Sequence, residues 1–247
     1  MTSATTVDVS TTYETLDAMH GPRGWHWWPD GDPFEVIVGC ILVQNTMWTN
    51  VERALERLRE ADALTAEAMS VLTPDDLEKL VQPSGQFRQK AKKLRAFLDL
   101  VHAHRGLEPL LALPAPELRA ALLATWGIGE ETADAIVLYA SRQATVVIDA
   151  YAQRFFGRLG LGPTHTTKYG EWQRWFAATF PSSPRPTESL RDYYARFHAL
   201  TTMHCKHLCL KSRPKCHDCA FHPVCPGSPM PVATPECSLP SLKAAMA

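Results

Sequence analysis

The chain has 247 residues, of which 45% are hydrophobic and 21% charged, and its 25 Lys and Arg against 26 Asp and Glu give a formal charge of -1. That is the composition of an ordinary globular protein, long enough for one large or two small domains with a real core. No apolar run is long enough to cross a bilayer, and Met1 to Ser10 lacks the basic and apolar regions of a signal peptide. A cytoplasmic, nucleoid-associated protein with no membrane partner is expected.

Taken in order, residues 1–12 are rich in Ser, Thr and Val and read as a disordered leader. Gly21 to Pro33 is broken by Gly, Pro and Asp and reads as loop, yet it holds Trp25, Trp27 and Trp28. Those indoles either pack on the next helix or wall a site for a flat ligand. Phe34 to Val43 is apolar almost throughout, which predicts a buried helix. It runs into Gln44-Asn45-Thr46-Met47-Trp48, whose amides either reach into a cleft or cap one helix and start the next, Val51 to Ala61. Thr73-Pro74-Asp75-Asp76 offers an N-cap, a first-turn proline and first-turn acids for a further helix. Phe87 to Val101 is basic, then apolar, at helical spacing.

Pro114 to Leu123 and Glu130 to Ala140 both carry helical stripes, and Trp126-Gly127-Ile128-Gly129-Glu130-Glu131 joins them. Gly-x-Gly between two helices permits a tight turn and exposes backbone N–H groups at the second helix's N-terminus. The pair reads as a helix-hairpin-helix, a device that holds a DNA phosphate without reading sequence. Asp149 follows eighteen residues after Glu131, at the start of the next helix, where it is either an N-cap or a site carboxylate. Asp149 to Leu159, Lys168 to Phe180 and Ser189 to His204 complete an almost wholly helical chain, with Pro181 to Pro186 as a linker. There is no sustained β-alternation and no internal repeat, so the fold class is all-α.

Charge is unevenly placed. Arg88, Lys90, Lys92, Lys93 and Arg95 form one basic run, and Lys206, Lys211, Arg213 and Lys215 form another. Either run is a solvated face or a phosphate-binding one. Five of the seven cysteines fall between Cys205 and Cys225, and clustering of that kind favours metal over disulfides. Cys209, Cys216, Cys219 and Cys225 are separated by six, two and five residues. Four thiolates hold either a tetrahedral zinc or a [4Fe–4S] cluster, and a single Cys-x-x-Cys knuckle inside a compact loop favours the cluster. Cys205, four residues ahead of Cys209, is the substitute ligand or an ordinary helix residue.

Gln44-Asn45-Thr46, Gly127-Ile128-Gly129 with Thr132-Ala133, Asp149 and the Cys-x6-Cys-x2-Cys-x5-Cys loop together resemble the endonuclease III group of helix-hairpin-helix base-excision DNA glycosylases. The likeness covers roughly residues 34–225, and His204 matches the family's approach to its cluster. It implies a two-lobed fold. A helical barrel would span 34–140 with the hairpin at 117–140. A [4Fe–4S] lobe would combine 13–33 with 141–225, and 226–247 would form a flexible tail. It also implies a monomer acting on double-stranded DNA with a damaged base, which must leave the duplex to be cut.

The resemblance assigns roles residue by residue. Asp149 is the catalytic carboxylate, with Glu131 as a second pocket group. Gly127, Gly129, Lys211 and Arg213 meet DNA. Asn45, with Gln44 beside it, plugs the gap in the duplex, and Gln86 wedges from the other side. Trp27, Trp28 and Trp48 form the base pocket, and Cys209, Cys216, Cys219 and Cys225 hold the cluster. One departure is informative: bifunctional members carry an imine-forming lysine two residues after the hairpin's second glycine, and Glu131 stands there. A carboxylate forms no imine, so a monofunctional glycosylase using water is expected. The Trp27-Trp28-Pro29 run and Gly127-Ile128-Gly129-Glu130-Glu131 look most like the 3-methyladenine branch, whose members can dispense with the cluster, and point to alkylated purines. The alternatives are an enzyme for oxidised pyrimidines with weak lyase activity, and a non-catalytic module that binds damaged DNA.

Overall fold

The computed structural model describes residues 9–21, 31–183 and 185–228. Within them the chain forms twelve α-helices and no strand. They are α1 (Val9–His20), α2 (Pro33–Leu42), α3 (Trp48–Glu60), α4 (Ala66–Val71), α5 (Pro74–Val81), α6 (Phe87–Ala103) and α7 (Leu107–Leu111), followed by α8 (Ala115–Ala124), α9 (Glu130–Ala135), α10 (Ala150–Arg158), α11 (Tyr169–Thr179) and α12 (Leu190–His207). The short helices α4 and α7 lie outside the stretches read as periodic. They are too short for a stripe to show.

The apolar run Phe34 to Val43 becomes α2, buried everywhere except Pro33 and Glu35. Asp32 caps it by accepting from the amides of Phe34 and Glu35. Being buried all round, α2 takes neighbours on several sides: α3, α6, and a π-helical turn (Ile136–Ala140) that continues α9. On the other side α1 and α10 pack on α12. The rings of Phe155, Phe156, Phe176, Phe180 and Phe197 fill the space between them, mostly edge to face.

Three expectations change. The helix α1 begins at Val9, inside the stretch read as leader, because Thr12, Tyr13 and Leu16 bury themselves completely. Tyr13 stands edge-on to Tyr193 and Phe197 of α12 and donates to Glu188 at 2.8 Å. The segment around Pro181 to Pro186 is no free linker. Arg185 donates to Glu14 and Asp17 of α1, and Ser183 donates to Glu188. The basic run on α6 is mostly neither a solvated face nor a phosphate-binding one. Lys90 is buried and donates to the carbonyl of Ser84, and Arg95 donates to the carbonyls of Ser70 and Leu72.

One buried carboxylate joins the parts that position the site. Asp134 on α9 is fully buried. It accepts two hydrogen bonds from Arg119 on α8, at 2.8 and 3.1 Å, one from Thr145 at 3.1 Å and one from Gln173 on α11 at 2.9 Å. Gln173 and Tyr169 also donate to the carbonyl of Val146. Both hairpin helices and the extended stretch before Asp149 are thus pinned to one group. Asp134→Ala leaves Arg119 and two further donors without their acceptor. It is expected to destabilise the protein by about 3–5 kcal/mol, read as a lower urea midpoint.

Candidate active site

The hairpin loop is built by its two glycines in different ways. Gly127 has φ +85°, the left-handed region, and a side chain there would collide with the Lys93 stem. Gly129 has an ordinary φ of -94°, and a Cβ on it would meet nothing within 4 Å. The first glycine makes the turn. The second leaves clear space in front of the amides that open α9, where an anion can approach.

Gln44 is committed to this loop. Its amide donates to the Gly127 carbonyl at 3.3 Å and the Thr132 hydroxyl at 3.0 Å, and its carbonyl accepts from Lys93. Both polar atoms of its side chain are thus engaged within the protein rather than with DNA, and Asn45, the expected plug, stands beside it. Asn45 is exposed on a left-handed turn (φ +55°), and Gln86 is exposed on another (φ +44°).

Asp149 caps α10, accepting from the amide of Ala152 at 2.8 Å through Oδ1. Its Oδ2 lies 3.5 Å from the Thr202 hydroxyl and 3.6 Å from Nε2 of His198, both on α12. Its side chain keeps 14% of its exposure, so it is held firmly but reachable. The N-cap and site readings therefore coexist in one residue. Glu131, in the first turn of α9, faces it. Burial raises the Glu131 carboxyl above its usual value, Asp149 raises it further, and His198 opposes the shift. Of the two carboxylates, Glu131 is thus the one that keeps its proton to higher pH than an ordinary glutamate.

Several residues here escaped the sequence reading. His198 and Thr202 stand at i and i+4 on α12, in line with Lys206, which the sequence shows only as part of a basic run. Burial pulls the Lys206 ammonium below its usual value, opposed by Asp149 and by Glu52 of α3. Lys206 thus lies among acids from two helices. Trp48 opens α3 and packs partly buried against the core. Trp27 and Trp28 lie outside the described residues, as does Cys237.

The four cysteines of the loop sit together. Cys209, Cys216, Cys219 and Cys225 line one small hollow together with Phe155, Phe221 and Arg158. Among the described residues no three His, Cys, Asp or Glu side chains converge as they would on a single metal ion. Arg158 donates to Cys209 Sγ at 3.3 Å, and Nε2 of His204 lies 3.6 Å from Cys219 Sγ. The neighbouring Cys205 thiol holds the Cys209 thiol below its usual value, with Arg158 adding to the effect. Cys205 itself is buried on α12, donates to the Tyr151 carbonyl and does not line the hollow. Lys211 and Arg213 are exposed on the same loop.

Comparison with known proteins agrees with this arrangement. A family profile described as "HhH-GPD superfamily base excision DNA repair protein" matches residues 38–176. The chain is 36% identical over 203 residues to the "Putative DNA repair glycosylase MJ1434" of Methanocaldococcus jannaschii, covering 81% of this chain and 88% of that one. The crystal structure of the H. pylori 3-methyladenine DNA glycosylase MagIII bound to 1,N6-ethenoadenine superposes with a TM-score of 0.72 at 28% identity, over 81% of this chain and 98% of that one. A non-covalent endonuclease III–DNA complex superposes with a TM-score of 0.72 over 87% of this chain and 92% of that one. At 18% identity it speaks for the fold alone.

The two hairpin glycines separate by experiment. Gly127→Ala should cost about 2 kcal/mol of stability through its left-handed backbone. Gly129→Ala should melt like the wild type yet bind duplex DNA roughly 10-fold more weakly, as the loss of a charged hydrogen bond requires. Both are read by thermal melting and fluorescence anisotropy.

Proposed function

The chain belongs to the HhH-GPD superfamily of base excision DNA repair proteins, and from that premise we propose that it is a monofunctional DNA glycosylase that removes alkylated purines. The observation that carries this reading is the pairing of Glu131 with Asp149 at the head of the hairpin, where an imine-forming lysine would otherwise stand. Departure of the base leaves positive charge on the deoxyribose. The Asp149 carboxylate, anchored at both oxygens, stabilises that charge and takes a proton from the attacking water. The water oxygen bonds to the anomeric carbon, and the electron pair of the broken C–N bond leaves with the base. Glu131, which keeps its proton to higher pH than an ordinary glutamate, faces the same space and donates a hydrogen bond to the departing ring. The backbone is held by the amides beyond Gly129, and the exposed Asn45 and Gln86 fill the gap.

Alkylated purines are favoured because a cationic ring leaves readily and stacks strongly on an indole such as Trp48. The 3-methyladenine glycosylase to which the chain is similar was solved with a modified adenine bound. Trp27 and Trp28 extend the same pocket in this reading. Any lyase step would need an amine beside Asp149. Lys206 is the one whose charge Asp149 senses, whereas Lys93 is engaged with Gln44.

Cys209, Cys216, Cys219 and Cys225 would hold the [4Fe–4S] cluster. Bound there, it supplies rigidity rather than substrate chemistry, since four thiolates leave no open position. The chain's own contribution is the loop bearing Lys211 and Arg213, positioned to meet phosphate.

Duplexes carrying an alkylated purine or an oxidised pyrimidine test the reaction. Strand breaks are expected on the alkylated duplex, and only after hot alkali. Asp149→Asn should slow base release about 1,000-fold while binding persists. Direct breaks with a borohydride-trapped adduct would overturn the reading. Purified protein should be brown and carry about four irons per chain. A colourless protein with one zinc would refute the cluster.

A further inference from the structure

We infer that His198 is a positioning residue for the reaction, an imidazole held at Nδ1 by Tyr139 that presents its Nε2–H to the Oδ2 edge of Asp149. The inference rests on Asp149 being the catalytic carboxylate, and it adds a residue that neither hairpin nor cysteine spacing reveals.

His198 is buried at 8% exposure, a costly place for an imidazole without partners. It has one on each nitrogen. Nδ1 lies 2.7 Å from the Tyr139 hydroxyl, and Nε2 lies 3.6 Å from Oδ2 of Asp149. The tautomer follows from what each neighbour needs. A carboxylate only accepts, so the nitrogen facing it must carry hydrogen. With Nε2 protonated, the neutral ring has a lone pair on Nδ1, and the Tyr139 hydroxyl donates to it. The alternative acceptor for that hydroxyl, the Ala195 carbonyl, is farther at 3.3 Å. Burial lifts the Tyr139 phenol well above its usual value, so it stays a donor across the working pH range.

The position of Tyr139 is itself built. It lies on the π-helical turn (Ile136–Ala140) that ends the second hairpin helix, and such turns shift the side chains beyond them out of α-helical register. Hairpin, Tyr139, His198 and Asp149 thus form one continuous chain of contacts.

Asp149 needs such a donor because of its other neighbours. Glu131 of α9 faces it from the hairpin, Tyr139 from the π turn, Lys206, His198 and Cys205 from α12, and Tyr151 from its own helix. A second carboxylate in the cleft pushes one of the two to take up a proton. The Ala152 amide and the Thr202 hydroxyl donate to Asp149, Nε2 of His198 stands 3.6 Å from it, and donors of this kind favour the ionised form of a carboxylate. Removing the His198 donor makes protonation of Asp149 easier, so the acidic side of the pH–rate profile moves to higher pH.

Single-turnover base release against pH tests this, with melting curves and binding to an abasic-analogue duplex measured on the same samples. His198→Phe should fold and bind as wild type, release base roughly 10-fold more slowly at neutral pH, and move the acidic limb up by about one pH unit. His198→Gln, whose amide N–H reaches toward the same carboxylate, should recover most of both. An unaltered pH–rate profile in a folded, DNA-binding His198→Phe overturns the inference. If His198→Phe does not fold, Tyr139→Phe takes its place, with a smaller shift in the same direction expected and no shift overturning it. Asp149→Asn run alongside separates the two levels. Retained release there removes the catalytic reading and this one with it, whereas collapse there with an unmoved His198→Phe profile removes only this one.

Discussion

A carboxylate with no exposure, Asp134, is the constraint on which the site depends. Buried charge is tolerated only when paired and fully hydrogen-bonded. The donors that satisfy Asp134 come from Arg119, Thr145 and Gln173, widely separated in sequence. Meeting that requirement forces α8, α9, α11 and the extended stretch after the hairpin into one arrangement. Asp149 emerges from that stretch four residues beyond Thr145. The position of Asp149 is therefore inherited from the solvation of a second, fully buried carboxylate.

The same logic runs through the cleft. Each polar side chain has partners that limit what it does: Gln44 is occupied by the hairpin and Lys93, and Asp149 by the helix it caps and by α12. Glu131 is held less firmly, and burial beside another carboxylate raises it. Two like groups acquire different roles from surroundings rather than from chemical identity.

Much of this was legible in the chain because it is local. The Gly127-Ile128-Gly129 turn, the α2 apolar run and the cysteine spacing are each set by a few consecutive residues. The family and all-helical fold follow from them. What the chain concealed depends on distant partners. The basic residues of α6 look like a phosphate-binding face until Lys90, Lys93 and Arg95 find carbonyl oxygens elsewhere. Gln44 looks like a probe for DNA until the hairpin, 83 residues on, takes up its amide. His198 carries no local signature, since its importance comes from Tyr139, 59 residues upstream, and from Asp149. The start of α1 reads as leader because Tyr13, which secures it, buries against Tyr193 and Phe197 of α12, far along the chain.

The attachment of α1 bears on how the protein is made. Tyr13 waits for Glu188, 175 residues later, and His20 for His204, 184 residues later. The helices from α2 to α9 lie close together in sequence and can assemble while the ribosome is still at work, since domains emerge and fold from the N-terminal side. Helix α1, made before them, is among the last to be secured. Until α12 has been released it has nowhere to dock, and its buried face of Tyr13 and Leu16 stays open to chaperones.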